Sequence, residues 1–437
     1  MNKTLLGLGI ALFTLAGTAQ QQDKFKKIDS LLTFLTEKNK FMGSVSVSEN
    51  GKTVFEKAYG YADFEHNIKA TPATRYKIGS ITKMFTATAI LKLVEDKKLT
   101  LDTKLSKFYP KVKNADKITI NNLLNHSSGI FNFTNTEDFM GYALSPQTKE
   151  QMIVRIEGFE SDFEPGSKNE YSNSNYLLLG YIIETLTKKK YADAINDVVI
   201  KKAGLKNTSL FDTVDYKANE AYSYVIAVTP KKVDEWNANV AYSAGALQAT
   251  MTDLDTFIYA LFSGKIISKE SVALMTSMTN GMGRGMFPMG FYDEPFVGHS
   301  GHIENFSSVL GYNPNDGVAI ALVTNGGSYD LNDVLIGIMS NYYSTPYKFP
   351  EFSDIVVDAK ILEGYTGKYT SADLPLDITI MYENGQLYGQ ATGQDPLPLE
   401  AKSDTEFTFE SAGITIKFKP DAFTLEQHGA TYKYVKE

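Results

Sequence analysis

Ser80 and Lys83 stand three residues apart in the stretch Ile78-Gly79-Ser80-Ile81-Thr82-Lys83. A serine hydroxyl is a weak nucleophile at neutral pH and needs a base within hydrogen-bond reach. On a helix, residues three apart are surface neighbours, so a helix beginning here carries the lysine amine back over the serine hydroxyl. Met84, Ala87, Ile90, Leu91 and Val94 recur at helical spacing immediately afterwards and predict that helix. Gly79 permits a tight entry, and the hydroxyl then sits at the positive end of the helix dipole.

Two later segments carry matching chemistry. Tyr171-Ser172-Asn173 follows Pro165-Gly166 in a polar loop and precedes an apolar run from Tyr176 to Ile183. A tyrosine beside a positive charge, or a buried lysine, can take a proton from serine, and the sequence leaves open which does. His299-Ser300-Gly301 opens a block of strand-like sequence. Other readings of these residues are blander. Tyr171 by itself suits half-buried packing. His299 and His302 as a metal pair fall on opposite faces of a strand with no acidic cluster to complete the site. His126 reads as a brace of its loop, Trp236 and Tyr242 as core packing ahead of cleft lining, and Lys188 to Lys190 as a solvated helix end.

The elements that must position these residues fall into three parts. An amphipathic helix (Ile28, Leu31, Leu32, Leu35) precedes a hairpin turning at Asn50-Gly51. A second hairpin, Phe306 to Tyr312 and Val318 to Thr324, precedes a second amphipathic helix (Leu331, Val334, Leu335, Ile338, Met339, Tyr342). This symmetry predicts one antiparallel sheet covered by both terminal helices, with a mostly helical lobe, about 80–278, inserted into it. A site between two lobes is where small ligands bind. After Pro346 and Pro350, seven short strands are expected between Tyr365 and Val435, punctuated by Asn384-Gly385 and His428-Gly429, which argues for a small β-barrel. The expected divisions are 1–19 signal peptide, 24–344 main domain, 345–357 linker and 358–437 a lipocalin-like barrel.

In order along the chain, S-x-x-K, Y-x-N and H-x-G resemble the motifs of the serine β-lactamase and penicillin-binding-protein superfamily, in its class C-like branch. Ile118 to Ile130 and Tyr171 to Glu184 resemble that branch as well, and the resemblance runs from about Phe25 to Tyr343. It implies an α+β, β-lactamase/transpeptidase-like fold. It also implies Ser80 as nucleophile, Lys83 and Tyr171 as the proton-shuttling pair, and Asn173 bonded to Lys83 and to the substrate amide. The strand at His299 would lie beside the substrate with Ser300 and Gly301, and the backbone N–H groups of Ser80 and His302 would form the oxyanion hole. No cofactor or metal is implied. His299 departs from dedicated class C enzymes, which carry lysine there. A largely neutral imidazole anchors a carboxylate less well, which points away from efficient antibiotic hydrolysis. The reading is a serine hydrolase acting through an acyl-enzyme on amides or esters, D-amino-acid-containing peptides first. The alternatives are a promiscuous carboxylesterase or weak β-lactamase with the same site, and a penicillin-binding sensor that is acylated without turnover.

The composition fits. Of 437 residues, 43% are hydrophobic and 22% charged, enough for a large core. With a net charge of -8 and only Arg75, Arg155 and Arg284 as guanidinium groups, there is no basic stripe for nucleic acid. Small molecules or peptides, cell-wall peptides among them, are the expected partners. Lys3, the apolar run Leu5 to Leu15 and Gly17-Thr18-Ala19 predict a secretory signal cleaved after Ala19, hence a secreted or periplasmic protein. There are no cysteines, so neither disulfides nor a lipid-bearing cysteine are possible.

Overall fold

The computed structural model describes residues 23–226, 230–352, 355–383, 386–394, 396–409 and 412–437. The expected signal peptide and the Asn384-Gly385 turn lie outside the described residues.

Alternation of side chains builds the central sheet. Six antiparallel strands lie in the order Phe287–Pro288, Val297–Ile303, Phe306–Asn313, Val318–Gly326, Met42–Glu49 and Lys52–Tyr59. In Val318–Gly326, Ile320 and Leu322 face one way and Ala319, Ala321 and Val323 the other. The first set meets the helix at residues 23–37 through Ile28, Leu31, Leu32 and Leu35, and the helix Leu331–Tyr343 through Val334, Ile338 and Met339. The second set, small residues mostly, lets the helix Met251–Phe262 and the helical lobe come close. The two terminal helices therefore share one face of the sheet, as the sequence symmetry requires.

The helix Thr82–Glu95 is buried on nearly every face, which explains why its apolar residues are not confined to one stripe. It packs against Asn173–Thr187 and Ala238–Gly245 in the core of the helical lobe. At the sheet edge, Phe287–Pro288 pairs only with Val297 and Gly298. The rest of the edge, Ser300 to Ile303, is left open toward the helical lobe.

The chain closes with an antiparallel barrel running from Gly367–Thr370 to Ala430–Lys436, sealed by Tyr369 pairing with Lys436. It has eight strands, one more than the sequence pattern predicts. The additional one is Leu397–Ala401, whose Pro398 obscures the strand signal. Residues read as strand from Tyr365 begin instead with a helix, Ala359–Tyr365, that caps the barrel by stacking Tyr365 on Phe418 at 4.0 Å. Tyr369, Phe407, Phe418, Phe423 and Tyr434 fill the interior, as the narrow bore of an eight-stranded barrel allows. The connecting stretch is not free of contacts: Phe349 and Phe352 pack on Phe34, and Lys40 pairs with Glu400 of the barrel.

Candidate active site

Ser80 lies in the single 3-10 turn Gly79–Ile81 that leads into Thr82–Glu95. Gly79 has φ +50°, and a Cβ there would stand 2.8 Å from the His302 nitrogen, so glycine meets both a conformational and a steric demand. The same crowding holds from the other side, where a Cβ on Gly301 would stand 2.0 Å from the Ile78 carbonyl oxygen. Backbone 78–80 and backbone 301–302 are thus in direct contact.

The helix brings Lys83 Nζ to 2.9 Å from Ser80 Oγ. Lys83 is fully buried and donates to Asn173 Oδ1 at 2.8 Å and to the Ala244 carbonyl at 2.7 Å. Tyr242, non-glycine yet at φ +33° inside Ala238–Gly245, kinks that segment. Beyond the kink, the Ser243 carbonyl accepts from Thr86 and the Ala244 carbonyl from Lys83. Strain concentrated beside reactive groups in this way is a property of functional sites.

Tyr171 donates its phenolic proton to Ser80 Oγ at 2.8 Å. Its ring is held between His126, centroid 4.5 Å away, and Phe287 and His299, each 6.2 Å away. Burial pushes the Lys83 amine well below the ordinary lysine range and the Tyr171 phenol above the ordinary tyrosine range. Burial thus favours the neutral form of each group.

Two more imidazoles are neutral and of fixed tautomer. Burial above all lowers His299 to about 3. Its Nδ1 faces the Ser300 carbonyl at 2.5 Å, and since a carbonyl only accepts, the proton is on Nδ1 and Nε2 is an acceptor. His126 is lowered by burial as well. Its Nδ1 accepts the Ser172 N–H at 3.1 Å, so the proton is on Nε2. His126 thus braces the Tyr171 loop, in keeping with its structural reading.

The strand bearing His302 ends in the two-residue turn Glu304-Asn305, with Ile303 opposite Phe306 and His302 opposite Ser307. In such a hairpin the closing pair exchanges the ladder bonds, so the N–H of His302 points out of the ladder toward the open edge. Ser80, in the first turn of its helix, has an N–H without an intrahelical acceptor.

Two cavities meet at Ser80. One, of ≈ 1230 Å³, runs past Tyr171, His299 and Ser300 to Phe291 and Met339. The other, of ≈ 180 Å³, is enclosed chiefly by Phe133, Phe139, Trp236, Val240 and Ala241. Trp236, read from the sequence as core, is a wall of this second cavity. Sequence reasoning weighed Trp236 as cleft lining but missed Phe133, Phe139 and Val240, which lie in segments with no shared motif. The sequence signals for it were Trp236 itself and the small residues Ser243 to Ala246.

Every motif residue expected at the site is present in one cleft: Ser80, Lys83, Tyr171, Asn173, His299, Ser300, Gly301 and His302. Residues 33–335 match the family model described as Beta-lactamase. Protein flp of Staphylococcus aureus (strain MW2) is 32% identical over 319 residues, 69% of this chain and 63% of that protein. The chain thus spans just under two thirds of the length of flp. The teichoic acid D-alanine hydrolase of Staphylococcus aureus is 30% identical over 334 residues, 71% of this chain and 78% of that protein. Among solved structures, D-amino acid amidase from Ochrobactrum anthropi SV3, complexed with L-phenylalanine, aligns with TM-score 0.66 at 26% identity, covering 74% of this chain and 99% of the other. A site assembled from S-x-x-K, Y-x-N and H-x-G, on a chain that the family model matches from the first core helix to the last, places this protein in the Beta-lactamase family.

Proposed function

We propose that this protein hydrolyses amides or esters through an acyl-enzyme formed on Ser80 Oγ, with D-amino-acid-containing peptides and D-aminoacyl groups as the first substrates to test. One observation carries the reading: Ser80 Oγ lies 2.9 Å from a buried amine and 2.8 Å from a buried phenol. A neutral amine has two N–H groups and one lone pair. Asn173 and Ala244 accept the two N–H groups, which leaves the Lys83 lone pair for the Ser80 hydroxyl. Lys83 is then the base that takes the serine proton, and Tyr171, neutral and donating, is the acid that serves the leaving group.

The N–H groups of Ser80 and His302 converge on the position of the developing oxyanion. Attack by Ser80 Oγ on the carbonyl forms the tetrahedral intermediate, and its collapse releases the leaving group, protonated through Tyr171. Water attacks the resulting ester by the reverse route and restores Ser80.

The leaving group must lie where its proton donor lies. Tyr171 lines the larger cavity and not the smaller, so the leaving group occupies the larger and the acyl side chain the smaller. A cavity of ≈ 180 Å³ walled on one side by Phe133, Phe139, Trp236 and Val240 suits a methyl to phenyl-sized group, since a cavity of about 150 Å³ holds benzene. Among the described residues lining the larger cavity there is no lysine or arginine, and His299 is neutral, so no fixed cation there anchors a carboxylate. This favours aminoacyl amides and esters over carboxylate-bearing β-lactams. The D-alanine hydrolase and the D-amino acid amidase among the similar proteins carry names of the same substrate type. Export with cleavage after Ala19 is part of the proposal and fits a cell-wall substrate.

Mass spectrometry after exposure to a fluorophosphonate, with the adduct mapped, tests the nucleophile. An adduct on Ser80, together with loss of turnover in Ser80→Ala, is the expected result. Normal hydrolysis by that variant refutes the assignment. Profiling against D-alanyl amides, p-nitrophenyl esters and a chromogenic cephalosporin separates peptidase, esterase and β-lactamase activity, and a single burst without turnover would identify a sensor.

A further inference from the structure

Behind the contact between the nucleophile turn and the open strand sits a buried cluster of charge that the reaction just described does not use. Lys77, three residues before Ser80, and Glu304, two residues after His302, are each 1% exposed and lie 2.6 Å apart, Nζ to Oε1. Lys77 Nζ also lies 2.9 Å from Glu235 Oε2, and that oxygen accepts the Val214 N–H at 3.0 Å. Glu304 Oε1 accepts the backbone N–H of Trp236 at 2.9 Å. The pair therefore ties together the strand leading to Ser80, the turn ending the His302 strand, and the Trp236 wall of the smaller cavity.

Three features argue that this arrangement serves more than stability. A buried ion pair adds little net stability compared with apolar residues of the same shape. Glu304 sits at φ +55°, where a two-residue hairpin turn would take asparagine or glycine. The local conformational cost is borne at a residue whose carboxylate reaches Lys77. The two backbones it joins, 78–80 and 301–302, also touch too closely for a Cβ at Gly79 or Gly301, so a small slip moves the Ser80 N–H relative to the His302 N–H. Loosening alignment of that kind by 1 Å costs on the order of 100-fold in rate.

We infer that Lys77 and Glu304 are positioning residues whose ion pair fixes the separation of the two oxyanion-hole N–H groups and seats Trp236 in the cavity wall. The inference rests on the acyl-enzyme reading above. Burial of Glu304 raises its carboxyl and the Lys77 charge opposes that, so the pair is sensitive to loss of either member.

The test compares E304Q and the double variant K77M/E304M with the native chain. The measurements are kcat and KM on a D-alanyl p-nitroanilide or short p-nitrophenyl ester, inhibition by phenylboronate, and thermal unfolding. E304Q keeps the shape and the acceptor for Trp236 but loses the charge, while the double variant replaces the pair by apolar side chains of similar length. Expected are a kcat at least tenfold lower in both, KM within about threefold, and phenylboronate binding weakened in parallel with kcat, because a boronate occupies the oxyanion hole and a bound substrate does so only in passing. A folded double variant with kcat within twofold of native overturns the inference. So does an E304Q whose kcat loss matches only its loss of folded protein, with phenylboronate affinity unchanged; E304Q decides the matter if the double variant does not fold. Ser80→Ala separates the two levels. Turnover surviving in Ser80→Ala sinks the acyl-enzyme reading, whereas an inert Ser80→Ala beside a fully active K77M/E304M sinks only the positioning role.

Discussion

Tyr171→Phe removes one buried oxygen and leaves the ring in place. The ring is held by His126 at 4.5 Å and by Phe287 and His299 at 6.2 Å, and none of these contacts needs the hydroxyl. The hydroxyl makes one hydrogen bond, to Ser80 Oγ at 2.8 Å, so its loss costs about 0.5–1.5 kcal/mol of stability. The catalytic cost is much larger if Tyr171 protonates the leaving group, because positioned acid catalysis contributes about 10²–10⁴ in rate, or about 3–5 kcal/mol of barrier. That cost depends on the leaving group. An amide nitrogen cannot depart without a proton, whereas p-nitrophenolate can. The expected outcome is a kcat/KM for a D-aminoacyl amide lower by about 10³, and for the matching p-nitrophenyl ester by no more than about tenfold. Both are measured at neutral pH, with circular dichroism and thermal unfolding as controls for the fold. Equal losses on the two substrates would show that the phenol does not act on the leaving group. No loss on either would remove it from the mechanism.

Several further outcomes follow from the same geometry. Since the reactive form of Lys83 is the neutral amine and burial lowers its pKa, kcat/KM should rise with pH through that lowered value and stay level above it. Tyr171 is raised above the ordinary tyrosine value of 10.0, so no alkaline fall should occur below pH 10; a pH–rate profile declining between pH 8 and 10 would contradict the assignment of acid and base. Lys83→Arg keeps a permanent charge and should abolish turnover, measured as product formed by a folded variant. Gly301→Ala sets a Cβ 2.0 Å from the Ile78 carbonyl oxygen, so backbone must shift; kcat should fall by about 100-fold and the unfolding temperature should fall with it, and a folded variant with native kcat would contradict the close approach. Ala241→Phe fills the smaller cavity, so phenyl-bearing acyl donors should lose kcat/KM by at least tenfold relative to acetyl donors; unchanged preference would mean the acyl side chain binds elsewhere.

Much of the architecture could be read from pattern. The terminal helices, the two hairpins and the inserted helical lobe follow from apolar periodicities of 3.6 and 2 and from turn residues such as Asn50-Gly51. The barrel was legible except where Pro398 masked a strand and where Tyr365, a residue with strand propensity, ends a helix stacked on Phe418. Tertiary packing overrode local preference at both places. The motif residues were legible because each chemistry demands a particular side chain at a short fixed spacing. The cavity wall of Phe133, Phe139, Trp236 and Val240, and the Lys77–Glu304 pair, were not. Their members are ordinary core or surface types, drawn together from positions far apart in the chain.

By itself, then, the sequence marked out the groups to which the proposed reaction is assigned: a serine, an amine three residues on, a phenol, an amide and an imidazole-bearing strand. Spacing along a helix or strand is a local property, and local geometry is written in adjacent residues. Only the tertiary structure decided the direction in which each of these groups is shifted. Desolvation depends on everything that surrounds a group, and it is burial of Lys83 and Tyr171 among residues from separate segments that lowers the one and raises the other, as the proposed base and acid require. The same holds for substrate size, since a cavity is the space that several separate elements leave between them.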